Sequence, residues 1–482
     1  DEPVGTAAVP PDAAQAEALA DGEPTRFAHA IDFDALAAGA DVAPAPERTT
    51  QIRIFPSALR LGEGRDFSRF PQYRGQLQPY SLTVPSAYRE GEPSPFTLNL
   101  HSLTRHHWQY HGSEGLAQIG EELDTLVLTP LARGVNGWYQ HEAEFDVFEA
   151  WADVARHYDL DAERVAVAGY SMGGYGAYRL ATLYPDLFGR AMTVVGPPGE
   201  GAWSPGSAPT GGVETLTNRW LASARHVPFL NVVAARDVVV PIAGTRAQSV
   251  GTTGFVDVGG FEQLGYRYRY VEYPEADHHT LAVLGYGLPM ATDFLSRTRV
   301  VDGPARVTYV VAPGADDPAL GLVHDHAYWV SGLRLAPTVG GPDRTGRIDA
   351  YSWASGVREP SSRLRRGGGD EPLAYTEQYR TWSGPPKAPA GNRLDVTLAN
   401  LYSARLELEA AGLSTAHDLV VKVSSDAAAV LFLAGDWKPG TAVFGPDGKP
   451  VDGAFLVEGG LYLPVSPGSH GYTVRPGSGP PD

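Results

Sequence analysis

The chain of 482 residues carries 38 Lys and Arg against 56 Asp and Glu, a formal net charge of −18, with 43% hydrophobic and 20% charged residues. Such a length exceeds one core and predicts two or three domains. The acidic balance argues against nucleic acid or an anionic lipid surface as a partner, because both need clustered Lys and Arg. No run of about eighteen apolar residues exists to span a membrane, and the lack of cysteine removes disulfides, thiolate metal sites and cysteine nucleophiles together.

The chain begins DEPVGTAAVPPDAAQAEALADGEP, an acidic Ala/Pro-rich start that a secreted protein trimmed of its signal would show, so an extracellular location is expected. Residues 1–75 lack sustained periodicity apart from the strand-like TTQIRIFPSALRL, and read as an extended arm or small β extension. Strand signals follow in YSLTVP, FTLNLHS (96–102) and TLVLTP (125–130). FDVFEAWADVARHY (145–158) has helical spacing, with Phe145, Phe148, Trp151, Ala155 and Tyr158 on the expected apolar face.

In RVAVAGYSMGGYGAYRL (164–180) a period-two apolar strand breaks at Gly169-Tyr170-Ser171-Met172-Gly173 and resumes with helical spacing. The pattern G-x-S-x-G between a strand and a helix lifts a serine hydroxyl clear of a sheet and aims the next amide, that of Met172, at a developing oxyanion. Further strands are read in RAMTVVG (190–196), VPFLNVVAARD (227–237) and YRYVEYPEADHH (268–279), before a helical stretch around LAVLGYGLPMATDFL. Strands alternating with helices predict a mainly parallel sheet covered on both faces.

Beyond residue 300 the pattern changes to short alternating strands such as RVTYVVA, RIDAYSW, RLDVTLANL and DLVVKVSS, punctuated by Gly, Pro and Asp turns. These predict a β-sandwich over 301–482, with PSSRLRRGGGDEP (360–372) as a loop.

GYSMGG, AARDVVVP and EADHHTL together resemble the α/β-hydrolase superfamily over residues 76–300, in particular secreted depolymerase-like esterases and prolyl-oligopeptidase-like serine hydrolases. The resemblance implies an α/β-hydrolase domain followed by an all-β domain, and a nucleophile, acid and base in the order Ser171, Asp237, His278, with His278 favoured over His279. It implies a carboxylic ester hydrolase working through an acyl-enzyme, with a small or polymeric ester as substrate and no cofactor. A serine peptidase, or a non-catalytic binding protein on the same scaffold, is the competing reading. The relatives' His-Gly-x after the strand FTLNLHS reads His101-Ser102-Leu103 here, so the resemblance leaves the second oxyanion donor beside Met172 between the Ser102 and Leu103 amides, with Leu103 favoured.

Trp138, Tyr139 and Trp203 fall on loops at the C-terminal side of strands, where α/β sites lie, and are candidates to line a substrate pocket. His106, His107 and His111, and His324 and His326, have spacings seen in zinc sites but lack an organising third ligand, so structural roles are expected and no metal.

Overall fold

The strand that ends at Tyr170 lies inside a ten-stranded sheet, flanked by strands from both directions of the chain. The computed structural model describes residues 32–40, 50–110, 119–252, 259–284, 289–340, 344–384 and 386–477. In chain order the sheet uses β1 (Thr50–Pro56), β2 (Leu77–Thr83), β3 (Ser94–Leu100), β4 (Leu126–Pro130), β5 (Leu160–Tyr170), β6 (Arg190–Val194), β7 (Phe229–Ala234) and β8 (Tyr268–Tyr273). Strands β4, β3, β5, β6, β7 and β8 run parallel, whereas β1 and β2 are antiparallel additions on the β4 side. Every residue of β4 and β7 is buried, as expected of strands covered on both faces.

The α-helices among the described residues include α1 (Phe33–Ala37), α2 (Glu142–His157), α3 (Met172–Leu183), α4 (Ile242–Val250), α5 (Phe261–Leu264), α6 (His278–Leu284) and α7 (Pro289–Leu295). None is long and apolar enough to cross a membrane. All of α3 is buried. Helix α2 turns a different face inward from the one its aromatic residues suggest. Its buried positions include Ala143, Val147, Ala150 and Val154, together with the carboxylates of Glu144, Asp146 and Asp153. Each carboxylate faces an arginine: Glu144 faces Arg179 at 2.7 Å, Asp146 faces Arg133 at 3.6 Å and Asp153 faces Arg53 at 4.0 Å. Paired charge lets acidic residues occupy a helix's inner face, while Phe148 and Trp151 pack at its margin.

The later residues build β9 (Arg306–Val311), β10 (Val330–Leu335), β11 (Gly346–Ser352), β12 (Ser362–Gly369), β13 (Tyr375–Trp382), β14 (Arg393–Ala399), β15 (Leu401–Glu407), β16 (Leu419–Ser425), β17 (Ala429–Ala434), β18 (Ala442–Phe444), β19 (Phe455–Val457), β20 (Gly460–Val465) and β21 (Gly468–Arg475). A five-stranded sheet, β10-β15-β17-β20-β19, and a six-stranded sheet, β18-β21-β16-β14-β11-β9, share one core that includes Trp329, Ile348, Leu394, Leu406, Leu419 and Leu431. Burial in β16 alternates at every residue, as a sheet with one face in a core requires.

TTQIRIFPSALRL pairs as β1 at the edge of the large sheet, in keeping with the β extension read there. One expectation needs correction. The segment 360–372 is not a loop. Its residues Ser362–Gly369 pair with β13, and β13 pairs antiparallel with β8, so this hairpin extends the large sheet. The sequence SRLRRGGG has no apolar alternation, so its strand conformation follows from pairing with the edge of β8. Arg269–Glu377 at 2.8 Å fixes that junction. The two halves also meet through Tyr309, whose hydroxyl donates to the Leu183 carbonyl at 2.8 Å, and through Arg225 Nε, which donates to Thr308 Oγ1 at 2.9 Å.

Candidate active site

Ser171 stands between β5 and α3 at φ 56° and ψ −119°, a left-handed conformation that is costly for a non-glycine residue. The turn survives because the backbones around it touch. A Cβ on Gly169 would lie 2.1 Å from the Gly173 carbonyl oxygen, and one on Gly173 would lie 2.0 Å from that of Leu100. These glycines let the first turn of α3 press against the ends of β5 and β3. The hydroxyl of Ser171 is thereby held at the C-terminal edge of the sheet with the residue 8% exposed.

Asp237 and His278 reach the same point from the ends of β7 and β8. Asp237 Oδ1 accepts the amides of Val239 and Val240 at 2.8 and 2.7 Å, a turn that fixes the carboxylate through its own following residues. Its Oδ2 accepts from His278 Nδ1 at 2.7 Å, which leaves His278 Nε2 facing Ser171 Oγ at 3.1 Å. The tautomer is set by the carboxylate: with Nδ1 donating, Nε2 carries the lone pair that accepts the serine proton. Tyr170 holds the imidazole from behind, donating its hydroxyl to the His278 carbonyl at 2.8 Å with ring centroids 5.1 Å apart. Burial, and then the charge of Asp237, raise the Tyr170 phenol above its ordinary value, so it stays a donor. His279 is exposed and its ring stands perpendicular to that of His278.

The loop after β3 presents an amide without an acceptor. Ser102 N–H is taken by Gln109 Oε1 at 2.6 Å and Thr104 N–H by the Val135 carbonyl at 2.9 Å, whereas the Leu103 amide has no acceptor among the described residues. Met172, the first residue of α3, likewise leaves its amide free, as first-turn residues do. His101 is fully buried, its ring between the Ser102 and Leu131 carbonyl oxygens at 3.0 and 2.9 Å.

Residues 81–239 match the family described as "Putative esterase". This part of the chain is similar to that esterase family. The esterase match includes the positions of Ser171 and Asp237 and stops before His278. No curated protein matches the chain. Among solved structures, the esterase unit is similar to a fluorophosphonate-binding serine hydrolase of Staphylococcus aureus at 14% identity, over 53% of this chain and 100% of that one, with a TM-score of 0.38. It is also similar to a ferulic acid esterase of Anaeromyces mucronatus at 16% identity, over 52% and 90% of the two chains, with a TM-score of 0.37. An S-formylglutathione hydrolase of Staphylococcus aureus is 13% identical over 52% and 99%, with a TM-score of 0.36.

The aromatic residues expected to line a pocket in this esterase unit do not gather. Tyr139 is 0% exposed, packs against Gly176 and donates its hydroxyl to the His101 carbonyl at 2.7 Å, so it braces the loop and has no surface for a substrate. Trp203 is buried with Leu216 and Ala247, its indole donating to the Ser207 carbonyl at 2.9 Å. Trp138 alone is partly open, edge-on to Tyr175 at 5.5 Å. The histidines outside the serine site have structural partners. His107 is buried and His106 half-buried, His111 lies outside the described residues, and His324 sits between two carboxylates. No group of three potential metal ligands occurs among the described residues. Tyr170 and Gln109 were missed in the sequence reading. Tyr170 is signalled only by its place next to the serine, and Gln109 by nothing in its own sequence neighbourhood.

Proposed function

We infer that the chain hydrolyses carboxylic esters through an acyl-enzyme on Ser171. The observation that carries this reading is the hydrogen-bonded series Asp237 Oδ2, His278 Nδ1, His278 Nε2, Ser171 Oγ, with separations of 2.7 and 3.1 Å. An unassisted serine hydroxyl is a weak nucleophile near neutral pH. In this arrangement Ser171 Oγ bonds to the ester carbonyl carbon as its proton passes to His278 Nε2. The negative charge moves to the carbonyl oxygen, between the Leu103 and Met172 amides. The tetrahedral adduct collapses, the bond to the alcohol oxygen breaks, and His278 returns the proton to that oxygen. Water then repeats the sequence, with His278 taking its proton and returning one to Ser171 as the acid leaves. Asp237 keeps the imidazole oriented and stabilises the imidazolium, and Tyr170 holds the ring from its backbone side.

The test is a panel of short- and long-acyl esters, an aryl ester, a polymeric ester and peptide amides, each assayed with the unaltered chain and with Ser171→Ala. Ester turnover that the substitution abolishes is the expected result. Which ester arm is fastest identifies the acyl and alcohol classes, including the aromatic and polymeric esters of depolymerase-like relatives. Amide cleavage without ester turnover would replace the esterase reading by a peptidase, and the absence of serine-dependent turnover on every arm would overturn both.

A further inference from the structure

At the edge of the large sheet opposite Ser171, where β6 and β8 begin, five arginines line one cleft of about 430 Å³: Arg190, Arg267, Arg269, Arg297 and Arg380. Three of them are neutralised. Arg269 meets Glu377 at 2.8 Å, Arg297 meets Asp293 at 2.7 Å and Arg380 meets Glu262. The other two have no carboxylate within ion-pair distance among the described residues. Arg190 donates through Nε to the Arg297 carbonyl at 2.9 Å and lies over the Phe294 ring at 4.5 Å. Arg267 donates through Nη2 to the His226 carbonyl at 3.0 Å and lies over the Trp382 ring at 4.9 Å, while its buried Nε has no acceptor. Backbone carbonyls and ring faces satisfy part of each guanidinium, and Asp293, already paired with Arg297, acts on Arg190 only from beyond ion-pair distance, so the pair's charge is incompletely balanced.

We propose that this cleft is an anion site for a phosphate or sulfate group, held between Arg190 and Arg267 and remote from the ester chemistry. Two partly buried positive charges in one cleft repel each other and are poorly solvated, so an unbalanced pair is a standing cost to the fold unless a counter-charge enters. Their state agrees with that account: burial, then the neighbouring Arg267 and Arg297, lower Arg190 to about 10, and burial lowers Arg267. A tetrahedral dianion matches two guanidiniums in charge and accepts their forked N–H groups in pairs. The chain as a whole is strongly acidic, with a net charge of −18, so its long-range field does not gather anions. Recognition must then come from these two side chains at contact range.

Calorimetric titration of the full chain with inorganic phosphate, with sulfate and with glucose 6-phosphate, against chloride at equal ionic strength, tests the site. Saturable binding at one site is expected, with a rise in melting temperature that chloride does not reproduce. Equal affinity for inorganic and sugar phosphate identifies the free anion as the ligand, and tighter sugar phosphate identifies a phosphorylated molecule. Arg190→Gln and Arg267→Gln should each weaken binding by about tenfold or more, while ester turnover is unchanged. Each should also melt no lower than the parent in anion-free buffer, because an unbalanced charge has been removed. Should one variant fail to fold, Glu377→Gln, which releases Arg269 from its partner, should tighten phosphate binding. No saturable binding of any of the three anions, or equal binding by parent and variants, would overturn the proposal.

Discussion

Glu144 and His324 are 180 residues apart in the chain and 2.7 Å apart in space, both buried, with the imidazole Nε2 donating to Glu144 Oε1. The other ring nitrogen, Nδ1, donates to Asp316 Oδ1 at 2.8 Å. A ring that donates from both nitrogens is an imidazolium. Glu144 is held further by Arg179 at 2.7 Å and by the Tyr184 hydroxyl at 2.6 Å, and Arg179 also donates to the Ala315 carbonyl at 2.9 Å. Helix α2, and helix α3 that follows the serine, are thus tied to the β-rich half by a buried charge cluster.

That cluster sets a pH window for stability. Burial pushes Glu144 up, but Arg179 and then His324 overrule it and bring it down to about 2, from an ordinary 4.5. Burial pushes His324 down, but bonds to Asp316 and Glu144 overrule it and leave it above its ordinary 6.5. The glutamate's contribution is complete above 4.5 and lost as pH falls toward 2. The histidine's contribution is complete below 6.5 and lost as pH rises through its raised folded value. Melting temperature should therefore peak between those limits and decline on both sides. His324→Gln should lessen the alkaline decline, leaving the part that the raised Asp146 carboxyl contributes, and cost roughly 3–5 kcal/mol at the peak, as removing one partner of a buried ion cluster does. An unaltered alkaline decline in that variant would refute the assignment.

The paired histidines give a second test. His278→Ala should lower kcat on the order of 10⁴-fold or more, because the group facing Ser171 Oγ is removed, while the exposed His279→Ala should stay within about tenfold of the parent. Full activity of both variants would contradict the mechanism.

Gly173→Ala drives a methyl group toward the Leu100 carbonyl, 2.0 Å from where its Cβ would stand. The first turn of α3 must then move away from the loop bearing Leu103, which separates the two free amides. We expect kcat to fall about 100-fold, the scale of losing one oxyanion donor, with KM changed far less. Steady-state kinetics on one good ester substrate measures the split.

A chain ending at residue 300 should be insoluble or inactive. Such a truncation removes the β13 strand from the edge of β8, uncovers the turn at Leu221–His226 against which β9 packs, and leaves the Leu183 carbonyl without the Tyr309 hydroxyl. Solubility and ester turnover of the truncated chain are the readout, and a soluble, active product would show that the halves fold apart.

Tyr170→Phe deletes the bond to the His278 carbonyl and leaves the ring in place. A kcat loss of about tenfold with unchanged melting temperature is expected for a positioning role, and a lower melting temperature with unchanged kcat would assign it to stability alone.

Local chemistry made much of the serine site legible in the sequence. The turn at Ser171 is written in glycines that tolerate backbone contact, and the Asp237 carboxylate is fixed by amides two and three residues on. Period-two burial announced the β-rich half, because a one-sided strand must alternate. What needed the folded chain were pairings between distant segments. The strand at Ser362–Gly369 exists because β13 pairs with β8, and no apolar pattern in SRLRRGGG foretells it. The inner face of α2 holds Glu144, Asp146 and Asp153 where Arg179, Arg133 and Arg53 arrive from other elements to face them. Tyr139 and Trp203, on loops that suggested a pocket, are withdrawn into packing by hydrogen bonds to the His101 and Ser207 carbonyls. A hydrophobic period reports which side of an element faces inward only when apolar contact decides it. Where a buried charge finds its counter-charge, tertiary structure decides instead.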